Sequence, residues 1–270
     1  MPTPIPTTYQ LYLDPLLGFT PGGTTWADQS VNENNFTFTN TSYTYESVIG
    51  SFLFPATAGA VANEDIQPGS LPIGTSAITI ICWVKLNELN SAADEYNLFN
   101  IGRSPTGSVT IPQLINLAIQ TGDFGAGNYR HLHVFNRAGA RTSTSTIDAV
   151  PYDTWTMISL TKPAGGDIAS QILYKNATAC STYSTSFGTR VVNTSLAGGT
   201  GSDPRVAINR YTSNVITSAP YSLGEMWIYN QELTAGDISN FYDVTQPRYF
   251  PAPPAPDLSD GRSFGQGFNG

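Results

Sequence analysis

The chain has 270 residues, a formal charge of −8 and only 12% charged residues. That balance excludes the clustered Lys and Arg that a nucleic-acid surface needs. The length suffices to bury a sizeable core without staples, and the absence of any eighteen-residue apolar run excludes a membrane-spanning helix.

With 25 Gly and 19 Pro, and Thr, Ser and Asn abundant, the composition favours strands and turns over long surface helices. Residues 1–8, Met-Pro-Thr-Pro-Ile-Pro-Thr-Thr, form an extended N-terminal arm lying on a surface of this or another chain. They lack the basic start and apolar core of a secretory leader, so synthesis in the cytoplasm is expected. Tyr9 to Leu13 reads as a first strand. Short alternating segments follow at Trp26, Asn35 to Asn40, Tyr43 to Glu46 and Gly50 to Phe54, separated by Gly, Pro and Asn.

Ser76 to Leu86 is the strongest strand. Ile78, Ile80, Cys82, Val84 and Leu86 make one apolar face, and Ala77, Ile81 and Trp83 contribute to the other, which places it centrally. Further strands are expected at Leu98 to Gly102, Gln113 to Gln120, Arg130 to Asn136, Trp155 to Thr161, Ser170 to Lys175 and Arg205 to Tyr211. Near the end, Met226 and Ile228 alternate with Trp227 and Tyr229, so this strand is covered on both faces. Thr234 and Asp237 then form a capping box and Leu233 and Ile238 a hydrophobic staple. Phe241 and Tyr242 extend the apolar stripe of the helix that begins there. Regularly spaced strands with one convincing helix indicate an all-β, two-sheet antiparallel sandwich over residues 9–246.

From Pro247 the proline density predicts an extended C-terminal arm over residues 247–270. Of the two cysteines, Cys82 is expected to be a buried thiol, while Cys180 lies in a polar stretch that could expose it. The Asn-X-Ser/Thr triplets at Asn35, Asn40, Asn176 and Asn193 carry little weight in a chain so rich in these residues.

The order Ile78 to Lys85, Trp155 to Thr161, Gln171 to Lys175, Arg205 to Asn209 and Gly224 to Tyr242 resembles the concanavalin A-like, laminin-G-like jelly-roll superfamily of lectins and glucanases. Two departures stand out. Asn176 is followed by Ala177 where members often have Asn-Gly, which predicts a longer or different turn. Asn209 stands where many have Gly. Members bind sugars, cleave glucans or hold assemblies together, so sites must decide.

The resemblance implies that a glucanase of this fold would carry Glu-X-Asp-X-(X)-Glu on one strand, since retaining hydrolysis needs carboxylates about 5 Å apart. No such run occurs. Asn63-Glu-Asp65 is a lone acidic pair read as loop, and Glu225 has no acidic residue at the right spacing, so no enzymatic activity is expected. His131 and His133 share one side of a strand, where a structural or surface role is expected. No cofactor is expected. Calcium is the one ion that the loop residues Asp123, Asp148, Asp153 and Asp203 leave open, although their spacing fits no loop motif. Gly122 to Gly127 lacks the Gly-Lys-Ser/Thr ending of a phosphate loop. Tyr183, Tyr211 and Tyr221 are candidates for stacking on sugar faces.

A catalytically empty lectin-like sandwich with arms at both ends leads to a structural subunit of a virus or phage particle as first expectation. Its partners would be other structural subunits, and Pro247, Tyr249, Phe250, Phe264 and Phe268 would be its attachment arm. The alternative is a carbohydrate-binding adhesion module at a cell surface, with a glycan as partner. Neither reading involves nucleic acid.

Overall fold

The computed structural model describes residues 4–38, 42–55, 62–64, 71, 74–87, 95–102, 114–121, 130–137, 140–144, 149–184, 191–194, 205–208 and 220–251. Two antiparallel sheets pack face to face, as expected for an all-β sandwich.

Strand β1 (Tyr9–Leu13) is followed by the short helix α1 (Pro15–Gly18), β2 (Thr25–Trp26), β3 (Phe36–Phe38), β4 (Thr44–Glu46), β5 (Ser51–Phe54) and β6 (Ala62–Glu64). Then come β7 (Ile78–Leu86), β8 (Glu95–Gly102), β9 (Leu114–Thr121), β10 (Arg130–Arg137) and β11 (Ala140–Thr144). The chain continues through β12 (Thr156–Lys162), β13 (Ile172–Lys175), β14 (Thr178–Ala179), β15 (Thr182–Ser184), β16 (Arg205–Ile208) and β17 (Tyr221–Tyr229) to α2 (Ala235–Tyr249). Among the described residues, sheet I runs β14-β13-β12-β7-β17-β5-β4, with β1 also paired to β17, and sheet II runs β15-β11-β10-β9-β8-β16-β6-β3-β2.

The period-two pattern of β7 decides its place. Ile78, Ile80, Cys82, Val84 and Leu86 point into the core between the sheets, while Ile81 and Trp83 join a second cluster on the outer side of sheet I. β17 divides in the same way, with Met226 and Ile228 inward and Trp227 and Tyr229 outward. Its register against β7 slips between Leu223 and Met226, so Gly224 and Glu225 form a bulge that keeps both flanking side chains inward.

Helix α2 covers the outer cluster. Ile238, Phe241, Thr245 and Tyr249 recur at helical spacing and are buried. Thr234 caps the helix as read from the sequence: its Oγ1 accepts from Asp237 N at 3.2 Å, and Asp237 Oδ2 accepts from Thr234 N at 2.9 Å. Leu233 and Ile238, the two staple positions, are both buried.

Three expectations are corrected. The arm does not begin at Pro247, because α2 continues through Pro247 to Tyr249. An interior proline costs roughly 3 kcal/mol, but burying a large side chain returns about 1.5–3 kcal/mol, and Tyr249 stacks on Trp83 with centroids 4.3 Å apart. Arg248 adds ion pairs to the same turn. The hairpin after β13 is not longer: Lys175 pairs with Thr178, so Asn176 and Ala177 make a two-residue turn with φ of 46° and 66°. Cys180, expected in an exposing polar stretch, is buried at 8% exposure in the inter-sheet core. The N-terminal segment lies on its own chain, where Pro6 O accepts from the Tyr229 hydroxyl at 2.9 Å and Ile5 packs on the outer cluster.

Candidate functional site

Strands β8, β9 and β10 form the middle of sheet II, and alternation assigns their residues to faces. Tyr96, Phe99, Ile101, Ile115, Leu117, Ile119, Leu132 and Val134 fill the core between the sheets. The intervening positions therefore face away from it. They carry Asn97, Asn100, Asn116, Ala118 and His133.

Register arranges these residues into rows. Ala207 of β16 pairs with Asn100 and Asn100 with Asn116. In the neighbouring row Asn97 pairs with Ala118 and Ala118 with His133. Extending that row across β11 and β15, His133 pairs with Ser143 and Ser143 with Tyr183. The backbone thus places Tyr183, a sugar-stacking candidate, at the end of a row holding His133 and Asn97.

Asparagine is disfavoured in strands, so three on two adjacent central strands need a reason. All three and His133 are at most 2% exposed. Asn116 Nδ2 donates to Asn97 Oδ1 at 3.1 Å, which links the two amides across the strands. The Oδ1 atoms of Asn100 and Asn116, buried on directly paired residues, accept no hydrogen bond among the described residues. A buried acceptor without a donor costs about 1–3 kcal/mol. Ala118 and Ala207 flank the amides in the register of the sheet, and both are buried. Amides and an imidazole beside small residues are the chemistry that grips hydroxyl-rich ligands. Buried polar atoms without partners also occur on β12, at Ser159 and Thr161, but no such amide pair stands across that strand.

A second polar cluster lies where α2 ends on sheet I. Arg248 Nη2 pairs with Asp14 Oδ1 at 2.9 Å and Nη1 with Glu225 Oε1 at 2.7 Å, while Nε donates to Ile49 O at 2.6 Å. The single Tyr12 hydroxyl hydrogen is shared between Asp14 Oδ2 at 3.0 Å and Glu225 Oε1 at 3.1 Å. The Tyr249 hydroxyl accepts from Glu225 N at 2.9 Å and donates to Glu225 Oε2 at 3.2 Å. A side chain at Gly224 would overlap the Tyr249 ring, with Cε1 at 2.8 Å, so glycine admits this contact. Burial pushes the Glu225 carboxyl up to about 7, outweighing the opposing pull of Arg248, and Asp14 adds to the rise. Burial likewise raises the Tyr12 and Tyr249 hydroxyls, so they stay protonated. One guanidinium between two carboxylates carries a surplus negative charge, which a proton on Glu225 removes. Every charged group is spent on an internal partner, so the cluster works as a clasp joining β1, the β17 bulge and α2. The carboxylate partner of Glu225 that strand spacing could not supply comes from Asp14, far away in sequence.

The residues singled out in the sequence fall as follows. Tyr221 is completely buried and donates its hydroxyl to Asn97 O at 2.8 Å, so it supports the back of the amide row and is corrected as a stacking residue. Tyr211 lies outside the described residues, as do Asn209, Asn40, Asp123, Asp148, Asp203, Gly122 to Gly127, Phe264 and Phe268. Tyr249 is buried at 3% exposure and is corrected as an attachment residue, while Phe250 is 39% exposed at the end of α2. Asn63 and Glu64 belong to β6 rather than a loop. Asp153 is exposed with φ of 51°. Among the described residues no helix is long and apolar enough to cross a membrane.

No protein-family model matches the chain, and no curated protein matches it in sequence. Solved structures do match in fold. The binding domain of Paraclostridial Mosquitocidal Protein 1 aligns with a TM-score of 0.58 at 16% identity, covering 88% of this chain and 52% of that one. The ligand-binding domain of botulinum neurotoxin serotype D, solved with N-acetylneuraminic acid, gives 0.55 at 12% identity over 89% and 52%. A Trypanosoma rangeli sialidase in complex with 2,3-difluorosialic acid gives 0.58 at 14% identity over 88% and 33%. The chain thus spans about half the length of the toxin binding domains it matches. At these identities the likeness establishes the β-sandwich fold and nothing finer.

Proposed function

We propose that the chain is a non-catalytic carbohydrate-binding module whose site is the outward side of β8, β9 and β10. One observation carries this reading: Asn97, Asn100, Asn116 and His133 stand together on that side, with two buried amide oxygens unpaired. Sugars bring hydroxyls that can donate to the Asn100 and Asn116 oxygens, and the backbone places Tyr183 at the end of the Asn97 and His133 row. Solved structures of this fold in complex with N-acetylneuraminic acid and with 2,3-difluorosialic acid support the reading. They do not choose the sugar.

Such a module acts at a glycan-bearing surface, which favours the cell-surface setting. The particle-subunit expectation draws on an arm whose residues 252–270 lie outside the described residues, and nothing on the described ones favours it. Glycan-array binding followed by calorimetry tests the proposal: the wild-type chain binds at least one glycan class and Asn116→Leu weakens that binding about tenfold or more, in line with one or two lost hydrogen bonds. Absence of binding across a broad array contradicts it.

A further inference from the structure

The chain leaves α2 at a corner of the sandwich that is rigid, apolar and exposed. Arg248 Nε donates to Ile49 O at 2.6 Å and Nη2 to Gly50 O at 3.3 Å, and a Cβ at Gly50 would overlap both Leu16 and Arg248. The Tyr45 hydroxyl donates to Pro15 O at 3.2 Å, and Asp14 Oδ1 accepts from Leu16 N at 2.8 Å. Helix α1, the turn between β4 and β5 and the last turn of α2 are thereby fixed against one another. Large apolar side chains at or within two residues of these contacts are exposed: Leu16 at 44%, Leu17 at 66%, Val48 at 88% and Phe250 at 39%. Scattered singly, such residues need no partner, but gathered around one junction they mark a docking surface.

We propose that this corner docks the chain's own C-terminal segment, which turns back to seat Phe264 and Phe268 on Leu16, Leu17 and Val48. The place where the segment starts carries the assignment. Phe250 and Pro251, the last described residues, stand at the corner, and residues 252–270 follow with Leu258, Phe264 and Phe268 as their large apolar side chains. Even at coil dimensions about twenty residues span only roughly 25 Å, and so short a tether gives an effective concentration near millimolar. Weak apolar contacts then suffice. Pro251, Pro253, Pro254 and Pro256 lower the cost of ordering the first part of the tether. A second copy would bring its own charge of −8 against the same charge, without any tether. Docking also takes water from Arg248, whose side chain is 19% exposed, and a drier guanidinium holds its carboxylates more strongly. The inference gives Phe264 and Phe268 a partner within the chain, and it is independent of the carbohydrate-binding reading, whose residues lie on the other sheet.

The test compares the whole wild-type chain with a Phe264→Ser, Phe268→Ser double variant by hydrogen–deuterium exchange. The reporters are the Gly18 and Gly50 amides, which donate to Asp14 O and Glu46 O. Both are expected to exchange about fivefold more slowly in the wild type, at a rate that does not depend on protein concentration. A nitroxide on Gly270→Cys gives a second readout, since Cys82 and Cys180 are buried. It is expected to broaden the amide signals of Leu16, Leu17 and Val48, and the two serines remove that broadening. Equal exchange in wild type and double variant, or no broadening at these amides, overturns the proposal. Protection that grows with protein concentration, with dimers in sedimentation, overturns it too, because a second copy is then the occupant.

Discussion

Arg248, in the last turn of α2, reaches Glu225 in the β17 bulge at 2.7 Å while its other amino group holds Asp14 at 2.9 Å. One guanidinium thereby binds the beginning of the chain to its closing strand and helix. Because Asp14 and Glu225 are nearly buried, their charges depend on this partner. Replacing Arg248 with Met removes the cation and strands both carboxylates, and breaking a buried pair costs about 3–5 kcal/mol. Urea unfolding is expected to show that loss. Adding Asp14→Asn and Glu225→Gln to the same background recovers a large part of it, since the stranded charges go too. A triple variant as unstable as Arg248→Met contradicts the clasp.

The same cluster sets a pH dependence. Glu225 rises from an ordinary 4.5 to about 7 in the folded chain, chiefly through burial. Between these values the folded state keeps a proton that the unfolded chain has lost, so the contribution is complete below about 4.5 and disappears as pH rises through 7. The wild-type chain is expected to lose stability between pH 5 and pH 8 relative to Glu225→Gln, which cannot titrate. Equal pH slopes for the two proteins contradict it.

Ala177 sits in a left-handed conformation that disfavours residues with a Cβ by about 1–2 kcal/mol, at φ of 66°. Ala177→Gly relieves that strain at the expense of a more flexible unfolded chain, for a net gain of about 0.5–1 kcal/mol. A chemical-denaturation midpoint shifted upward checks it. The opposite shift shows that the Ala177 methyl, packed on the outer cluster, matters more than the backbone.

The two cysteines are reduced and buried, and burial pushes the Cys82 thiol up to about 12. Thiol labelling of the native chain at neutral pH is therefore expected to be slow at both positions and to complete only on denaturation. Fast labelling of one thiol in the native state shows that Cys180, at the thinner cover, is open.

Much of the fold was legible because its signals are local. The faces of β7 and β17, the Thr234 cap and the staple are all written within a few residues of one another, and the structure keeps each. Pro247 was misread because its local meaning is to stop a helix, whereas Tyr249 and Arg248 find tertiary partners that carry the helix past it. The amide row was hidden for the opposite reason. Asn97, Asn100 and Asn116 look like turn residues in a chain full of asparagine, and only register brings them together. Their position inside otherwise apolar strands was the available signal. Tyr221 was chosen as a surface ring because its strand begins just after a loop, yet it faces the core.

Calorimetric titration of the whole chain with the oligosaccharide bound most strongly on the array, for the wild type and Asn116→Leu, tests the carbohydrate-binding reading most directly. The account predicts saturable binding by the wild type and about tenfold weaker binding by the variant at unchanged fold. Wild-type and variant chains that bind equally, or a wild type that binds no glycan, contradict it.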